Sequence, residues 1–212
     1  MVLTQIQDPQ LELGRDPGVS PVVSAEVEDV VKALLIAVGE NPSRDGLKDT
    51  PDRVARMYGE LLAGYWMEPD RVINGALFDV EYDQMVVVKD IDFFSLCEHH
   101  MVPFFGKAAV GYLPGSKVIG LSKIPRIVEM FARRLQVQER FTQQVGQFLD
   151  ETLSPRGVTV VVEATHLCAA MRGVNKPGTR MVTSAILGEF RQNQTTRDEF
   201  MAHLRGGREP LI

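Results

Sequence analysis

The stretch that organises the chain reads SLCEHHMVP, residues 95–103. It contains two of the four histidines and one of the two cysteines of the protein. The other cysteine, Cys168, lies in the segment THLC at residues 165–168, beside a third histidine. Each segment follows a run typical of a β-strand and is expected where that strand ends. We expect the fold to bring the two segments together.

Cys97, His100 and Cys168 form a candidate metal-ligand set of two thiolates and one imidazole. Zinc accepts both ligand types, and a catalytic zinc ion keeps three protein ligands and leaves its fourth position to water. The thiolates favour zinc over iron or manganese. A closed structural site, with His99 or His166 as fourth ligand, is one alternative. A disulfide between the two cysteines is another, and a reducing compartment disfavours it.

His99 and His166 lie beside the candidate ligands and are predicted to act as acid–base groups. Imidazole titrates near neutral pH and can move protons at a metal site. A histidine beside a ligand can instead only orient that ligand, which is the alternative for both residues. His203, in the charged C-terminal segment, is predicted to be exposed and without a role.

The composition sets limits on the function of the 212-residue chain. Its 23 basic and 28 acidic residues give a formal net charge of -5, which argues against broad nucleic-acid binding. Residues 1–20 lack the pattern of a secretory signal, and the most apolar window, residues 30–38, is interrupted by Lys32. We therefore expect a cytoplasmic protein without nucleic-acid or membrane partners, whose thiols stay reduced.

The patterns along the chain predict three regions. Residues 1–21 are polar, contain several prolines and glycines, and are predicted to form a flexible arm. Residues 22–80 are predicted to be helical, with one helix from Ser24 and a second opened by Thr50-Pro51-Asp52, read as an N-cap, a first-turn proline and an acid. The third region is residues 81–212.

Residues 81–212 contain the predicted sheet. Strands are predicted at residues 85–89, 91–96, 107–113, 118–119, 158–163 and 181–190. A helix pair lies between them, the first capped by Ser122 and the second ended by Pro155, and a closing helix spans residues 196–204. The absence of an alternating βα rhythm predicts an α+β fold with a largely antiparallel sheet.

A candidate anion site lies at the start of the first helix of the pair. Helix N-termini attract anions, and Ser122, Lys123 and Arg126 supply a hydroxyl and two charges there. Arg172 follows Cys168 by four residues and precedes Gly173, which allows close approach of a ligand. These cations in an acidic protein suggest a phosphate-bearing substrate.

The second helix of the pair opens with a carboxamide and a carboxylate, Gln138 and Glu139. Such a pair can bind the edge of a base that offers N–H donors and a carbonyl, as guanine does. Both residue types are also common at helix starts, which is the alternative. The nearby Arg133, Arg134 and Arg140 are interpreted as a solvated helix face.

Taken together, four groups of residues resemble GTP cyclohydrolase I. They are CEHH at 97–100, GLSK at 120–123, QVQER with TQQ at 136–144, and EATHLC with MRGV at 163–174. They stand ungapped in the order of that family, and the likeness runs from about residue 25 to residue 205. The resemblance implies the tunnelling fold (T-fold), in which subunits pool their sheets into a barrel.

The same resemblance implies a toroidal homodecamer with active sites at subunit interfaces. It implies that GTP and water are converted to formate and 7,8-dihydroneopterin triphosphate, the first step of folate and pterin biosynthesis. It also implies a zinc ion as cofactor.

The resemblance also assigns roles residue by residue. The zinc ligands are Cys97, His100 and Cys168, and the acid–base histidines are His99 and His166. The guanine-binding pair is Gln138 and Glu139, the ribose contact is Ser122, and the triphosphate contacts are Lys123, Arg126 and Arg172. Arg53, in TPDRV at residues 50–54, resembles an arginine that a neighbouring subunit lends to the site.

Two other functions stay open at this point. A relative on the same fold could act on a different purine or pterin, and product identity would reveal it. A zinc-stabilised, nucleotide-binding regulatory protein without turnover is the second. The additional histidines His99 and His166 argue against it, because a structural zinc site needs no acid–base groups.

Overall fold

The structure, a computed structural model, describes residues 25–205. The predicted flexible arm at residues 1–21 lies outside the described residues. The described chain begins with the helices α1 (Ala25–Ala37), α2 (Thr50–Leu61) and α3 (Pro69–Ile73), and α1 packs on α2. Both predicted N-terminal helices are confirmed. The cap of α2 is shifted by one residue, because Thr50 is already helical and Asp49 holds the cap position.

The strands and the later helices build the rest of the described chain. The strands are β1 (Leu77–Asp79), β2 (Val86–Cys97), β3 (Pro103–Leu113), β4 (Lys117–Ile119), β5 (Leu135–Gln136), β6 (Gly157–His166) and β7 (Met181–Gly188). The helices are α4 (Lys123–Ala132), α5 (Gln138–Leu153), α6 (Leu167–Ala170), α7 (Glu189–Gln192) and α8 (Gln194–Arg205). Within residues 25–205, no helix is both long enough and apolar enough to cross a membrane.

Five strands form one sheet in the order β5-β2-β3-β6-β7, and β1 pairs with β4 in a second, two-stranded sheet. The pairs β2–β3, β3–β6 and β6–β7 are antiparallel, whereas β2–β5 is parallel. The predicted α+β class with a largely antiparallel sheet is confirmed. The division at residue 81 stays a prediction, and β1, from the predicted helical region, pairs with β4 from beyond it.

One predicted break in the sheet is wrong. Residues 85–89 and 91–96 do not form two strands but belong to the single strand β2. The register of β2 shifts between Val88 and Ile91, and Asp90 between them has φ 59°. A bulge of this kind puts an extra residue in one strand and interrupts the alternation of side chains. In the sequence, the interrupted alternation of apolar and polar residues at the bulge looks the same as the end of one strand and the start of another.

The helices α4 and α5 cover one face of the sheet. The core between them contains fully buried aliphatic and aromatic side chains, among them Ile127, Val128, Phe141, Val145 and Leu149 from the helices and Val160 and Val162 from β6. The other face carries a smaller cluster in which Phe190 and Phe200 pack on Ala109 and Leu113. Each large apolar side chain so buried contributes about 1.5–3 kcal/mol. Buried packing on both faces therefore holds in place the sheet from whose strand ends the candidate site residues extend.

Phe141 is the side chain whose loss we expect to cost most in this core. It is fully buried and packs on Phe93, with ring centroids 4.9 Å apart. Phe141→Ala should lower the free energy of unfolding by about 3–5 kcal/mol, because a cavity remains. Urea denaturation followed by circular dichroism measures the loss. The matched control is the exposed Phe78; a loss as large in Phe78→Ala would contradict the expectation.

Candidate active site

The turn between β2 and β3 carries three candidate residues. Cys97 ends β2, and its amide donates to the Val102 carbonyl at 3.0 Å. The amide of Met101, which has the left-handed φ of 53°, donates back to the Cys97 carbonyl at 2.7 Å. Cys97 is buried, whereas His99 and His100 are exposed. The His99 Nδ1 nevertheless lies 3.6 Å from the Cys97 Sγ, so this histidine borders the thiol.

The second segment arrives at the same end of the sheet. Phe104, at the start of β3, pairs with Ser95 of β2 on one side and with His166 of β6 on the other. The chain then turns into the short helix α6, which carries Cys168. Because β2 and β6 share β3 as their neighbour, the strand ends that carry the two cysteines lie close together. The predicted convergence of these segments is therefore observed.

Ligand atoms of Cys97, His100 and Cys168 all lie within 4.8 Å of one another. A tetrahedral zinc ion, with ligand bonds of 2.0–2.3 Å, holds such atoms about 3.5 Å apart. Small side-chain movements therefore bring the three residues to zinc geometry, and two sulfurs with one nitrogen suit this metal. Both cysteines are free thiols. Neither His99 nor His166 belongs to this group in the described part of the chain.

The electrostatics of Cys168 suit a bound cation. Burial, more than any other cause, raises the pKa of the Cys168 thiol, and the neighbouring Cys97 raises it further. The charge of Arg172 acts in the opposite direction. Burial disfavours the thiolate and a nearby cation favours it. A metal ion between the two sulfurs would stabilise both as thiolates, which is the form that binds metals.

His166 is held on two sides. Its ring stacks on Phe104, with centroids 4.7 Å apart and an interplanar angle of 2°. Its Nε2 lies 2.8 Å from the Oε1 of Gln138. Burial lowers the pKa of His166, and the negative charge of Glu139 opposes this shift. The lowered pKa favours the neutral ring, which is the form that can accept a proton.

The two residues that open α5 differ in exposure. Gln138 is fully buried, and its amide nitrogen lies 3.1 Å from each of three oxygens of β6 and β7, in Val162, Met181 and Thr183. Glu139 is exposed. In this arrangement the Glu139 carboxylate is open to a ligand, whereas the Gln138 side chain is engaged inside the protein.

Arg140 connects the turn between β2 and β3 to α5, and its interpretation as part of a solvated face is wrong. Its guanidinium bonds to the carboxylate of Glu98, to the Gln136 Oε1 at 3.1 Å and to the Leu135 carbonyl at 3.0 Å. The same interpretation is wrong for Arg134, which is half-buried and donates to main-chain carbonyls. No local pattern reveals the Glu98–Arg140 pair, because the two residues are 42 positions apart.

The predicted anion-binding residues at α4 lie at its N-terminus. Ser122 holds the cap position without a side-chain capping bond, so its hydroxyl is not used by the helix. Lys123 is 7% exposed, and Arg126 is exposed. Arg126 lines a groove of about 430 Å³ between α3 and α4, together with Arg71 and Glu129. Only Arg126 of the two predicted cations is open to solvent in the single chain.

The remaining predicted cations lie on other elements. Arg172 is exposed just after α6, before Gly173 with its φ of 61°. Arg53 is exposed on α2 and pairs with Asp49 at 3.3 Å, four residues earlier in the chain. His203 is exposed on α8, as predicted, and lies 3.9 Å from Glu199.

The site residues fall within a region shared with known enzymes. The sequence pattern of GTP cyclohydrolase I matches residues 27–205. GTP cyclohydrolase 1 of Gloeobacter violaceus is 56% identical over 173 residues, which cover 82% of this chain and 81% of the relative. The Chlorobaculum tepidum enzyme of the same name is 54% identical (84% and 80% covered), and that of Synechococcus sp. is 49% identical (94% and 87% covered). This chain therefore belongs to the GTP cyclohydrolase I family of enzymes.

Proposed function

We propose that the protein converts GTP and water to formate and 7,8-dihydroneopterin triphosphate in a zinc-dependent reaction, the first step of folate and pterin biosynthesis. The observation that carries this proposal is the group of Cys97, His100 and Cys168 at the end of the sheet. His166 and the start of α5 lie at the same end. Membership of the family supports GTP as the substrate.

Cys97, His100 and Cys168 would hold the zinc ion. A bound zinc ion polarises substrate oxygens and lowers the pKa of its bound water to about 7. The thiolates favour zinc over iron or manganese at this position. The two free thiols also support a cytoplasmic location, because that compartment keeps thiols reduced.

His99 and His166 would move the protons of the reaction. Opening the imidazole ring of guanine, releasing formate and closing the pteridine ring all need proton transfers to or from nitrogen and oxygen atoms. The half-buried ring of His166, whose pKa is lowered by burial, is suited to accept a proton, and the exposed His99 stands beside the Cys97 thiol. Two separate imidazoles allow one group to donate while the other accepts.

Glu139 would hold the guanine base, because an exposed carboxylate at a helix start can accept hydrogen bonds from its N–H groups. Gln138 belongs to the same proposed base-binding end of α5, although its amide is buried in this structure. Fixing the base so that its reacting carbon faces the metal group is a positioning role, which can be worth several kcal/mol.

The triphosphate and the ribose would be bound by residues at the start of α4, by Arg172 after α6 and by Arg53 of a neighbouring subunit. Ser122 would contact the ribose, and Lys123, Arg126 and Arg172 would contact the phosphates. The positive end of the α4 helix dipole supports binding of an anion there. Arg53 would come from a neighbouring subunit, which is in keeping with its exposed position on α2.

The edges of the sheet support an oligomer whose active sites lie at subunit interfaces. Along its outer side, β2 pairs with β5 only at Leu96 and Cys97 among the described residues. β7 forms the other edge of the sheet and pairs only with β6 among the described residues. Open strand edges pair readily with further strands. The proposal is that neighbouring subunits pool their sheets into a barrel and form a homodecamer.

The test of the proposed function is a turnover assay of the purified, zinc-loaded protein with GTP, following formate and the dihydropterin chromophore together. We expect both products in equal amounts, loss of both on chelation of zinc, and their return when zinc is added back. Formate without the pterin would instead indicate a ring-opening enzyme that stops early. Neither product, with zinc and GTP both bound, would support a regulatory protein without turnover.

A further inference from the structure

The amide of the Gln138 side chain is already hydrogen-bonded within the protein at both its nitrogen and its oxygen, which disfavours a contact with the base. It is fully buried. Its Nε2 is surrounded at 3.1 Å by the carbonyls of Val162 and Met181 and by the Thr183 hydroxyl. Its Oε1 faces the His166 Nε2 at 2.8 Å. Both ends of the amide are therefore engaged within the protein.

The hydroxyl groups of Thr142 and Thr183 determine which end of the Gln138 side-chain amide is the nitrogen and which is the oxygen. The Thr142 hydroxyl donates to the main-chain carbonyl of Gln138 at 2.7 Å, and a carbonyl can only accept. With its single hydrogen so used, Thr142 accepts from the Thr183 hydroxyl, also at 2.7 Å. Thr183 then offers only a lone pair to the amide of Gln138. The carbonyls of Val162 and Met181 and this lone pair can only accept hydrogen bonds, so the NH₂ group must face them. Oε1 must therefore face His166.

The fixed amide determines where His166 carries its proton. An amide oxygen only accepts hydrogen bonds, so the Nε2 that faces it at 2.8 Å must carry a hydrogen. In the neutral ring one nitrogen is protonated and the other is a base, which leaves Nδ1 as the basic atom. The stacked ring of Phe104 restrains the plane of the imidazole, while the hydrogen bond sets its rotation within that plane.

We propose that the side chain of Gln138 is a positioning residue that holds His166 in one orientation with its proton on Nε2, and that it does not bind the base. Nδ1 is then the ring nitrogen of His166 that is left without a hydrogen. The inference rests on the proposed function, because the proton that His166 would move is a proton of the GTP reaction. It separates Gln138 from Glu139, whose exposed carboxylate is left as the contact to the base.

The first test reads the hydrogen bond directly in the zinc-loaded enzyme without GTP. The chain has only four histidines, so ¹³C,¹⁵N-histidine labelling gives few signals, and His166→Asn identifies the one that belongs to His166. At about pH 8.5, two units above the ordinary histidine pKa of about 6.5, rings are neutral. We expect hydrogen only on the nitrogen bonded to Cδ2, exchanging slowly with water. Hydrogen on Nδ1, or a mixture of both forms, would overturn the proposal.

The second test separates positioning from base binding. Gln138→Leu should lower kcat by about 100-fold, the lower range of acid–base catalysis, with little change in KM for GTP. The His166 signal should lose its slow exchange. The matched control is Gln144→Leu, which removes another buried amide of α5, bonded to Gln136. A raised KM with unchanged kcat, or an unchanged His166 signal in Gln138→Leu, would overturn the proposal.

The two tests also distinguish this inference from the proposed function. The magnetic resonance measurement needs no GTP turnover, so it reads the Gln138–His166 contact even in an inactive protein. A wild-type enzyme that makes the pterin but carries the His166 proton on Nδ1 would refute the inference alone. A protein that shows the expected His166 signal without any turnover would refute the proposed function alone.

Discussion

Replacing Cys168 by serine is expected to remove the zinc ion and the activity together. The change deletes one of the two sulfurs in the Cys97–His100–Cys168 group and leaves a hydroxyl, which is a poor zinc ligand. A catalytic metal lowers the barrier by several kcal/mol, so turnover should fall by at least about 1000-fold. Elemental analysis of the purified variant gives the zinc content, and the formate assay gives the rate.

The matched control for this change is Met171→Leu. Met171 is another sulfur-containing residue, three positions further along and 68% exposed. Its replacement should leave the zinc content and the rate unchanged. Circular dichroism should show that Cys168→Ser keeps its sheet, because serine has nearly the shape of cysteine. Full zinc occupancy in Cys168→Ser would show that Cys168 is not a ligand.

Replacing His99 by alanine should abolish turnover while zinc stays bound. His99 lies beside the Cys97 thiol but outside the three-residue group, so the metal keeps all its ligands. Loss of a positioned acid–base group lowers kcat by about 10²- to 10⁴-fold. Formate release and zinc content are measured on the same preparation.

His203→Ala is the matched control, because this exposed histidine on α8 is far along the chain from the two metal-binding segments. It should retain the wild-type rate. Undiminished turnover in His99→Ala would show that His99 is not an acid–base group. Loss of zinc from His99→Ala would instead identify His99 as a fourth ligand and favour the closed structural site.

The helices of the fold were predicted from periodic apolar segments, and the family was identified from ungapped motifs. The helices α4 and α5 are long enough to be predicted from the spacing of their apolar residues. The structure buries Ile127, Val128, Phe141, Val145 and Leu149 on their inner faces. The motifs identified the family, which the comparisons confirm, and with it the tunnelling fold. The gathering of Cys97, His100 and Cys168 was predictable because each lies at the end of a recognisable strand.

Short elements and distant contacts could not be predicted. The strand β5 has two residues, and it exists because Leu135 and Gln136 pair with the end of β2. A two-residue strand is too short to show the alternation of apolar and polar residues from which a strand is predicted. The link from Arg140 to Glu98 and the engagement of Gln138 with Thr183 depend on which strands become neighbours. Residue type alone suggested an exposed side chain for Arg140, whereas its bonds to Glu98 and Gln136 depend on tertiary neighbours. The bonds of the buried Gln138 amide to β6 and β7 depend on tertiary neighbours as well.

The place of β3 in the sheet has a consequence for the order in which the molecule comes apart. β3 lies between β2 and β6 with both of its edges paired, and the segments that carry Cys97, His100 and Cys168 extend from the ends of those two neighbours. Amide hydrogens in such a central strand exchange with solvent only through the largest openings of a protein. The segments that carry the ligands are thus anchored to the most slowly exchanging part of the sheet. Gentle heating should loosen the N-terminal helices first and leave the catalytic end assembled until the sheet itself melts.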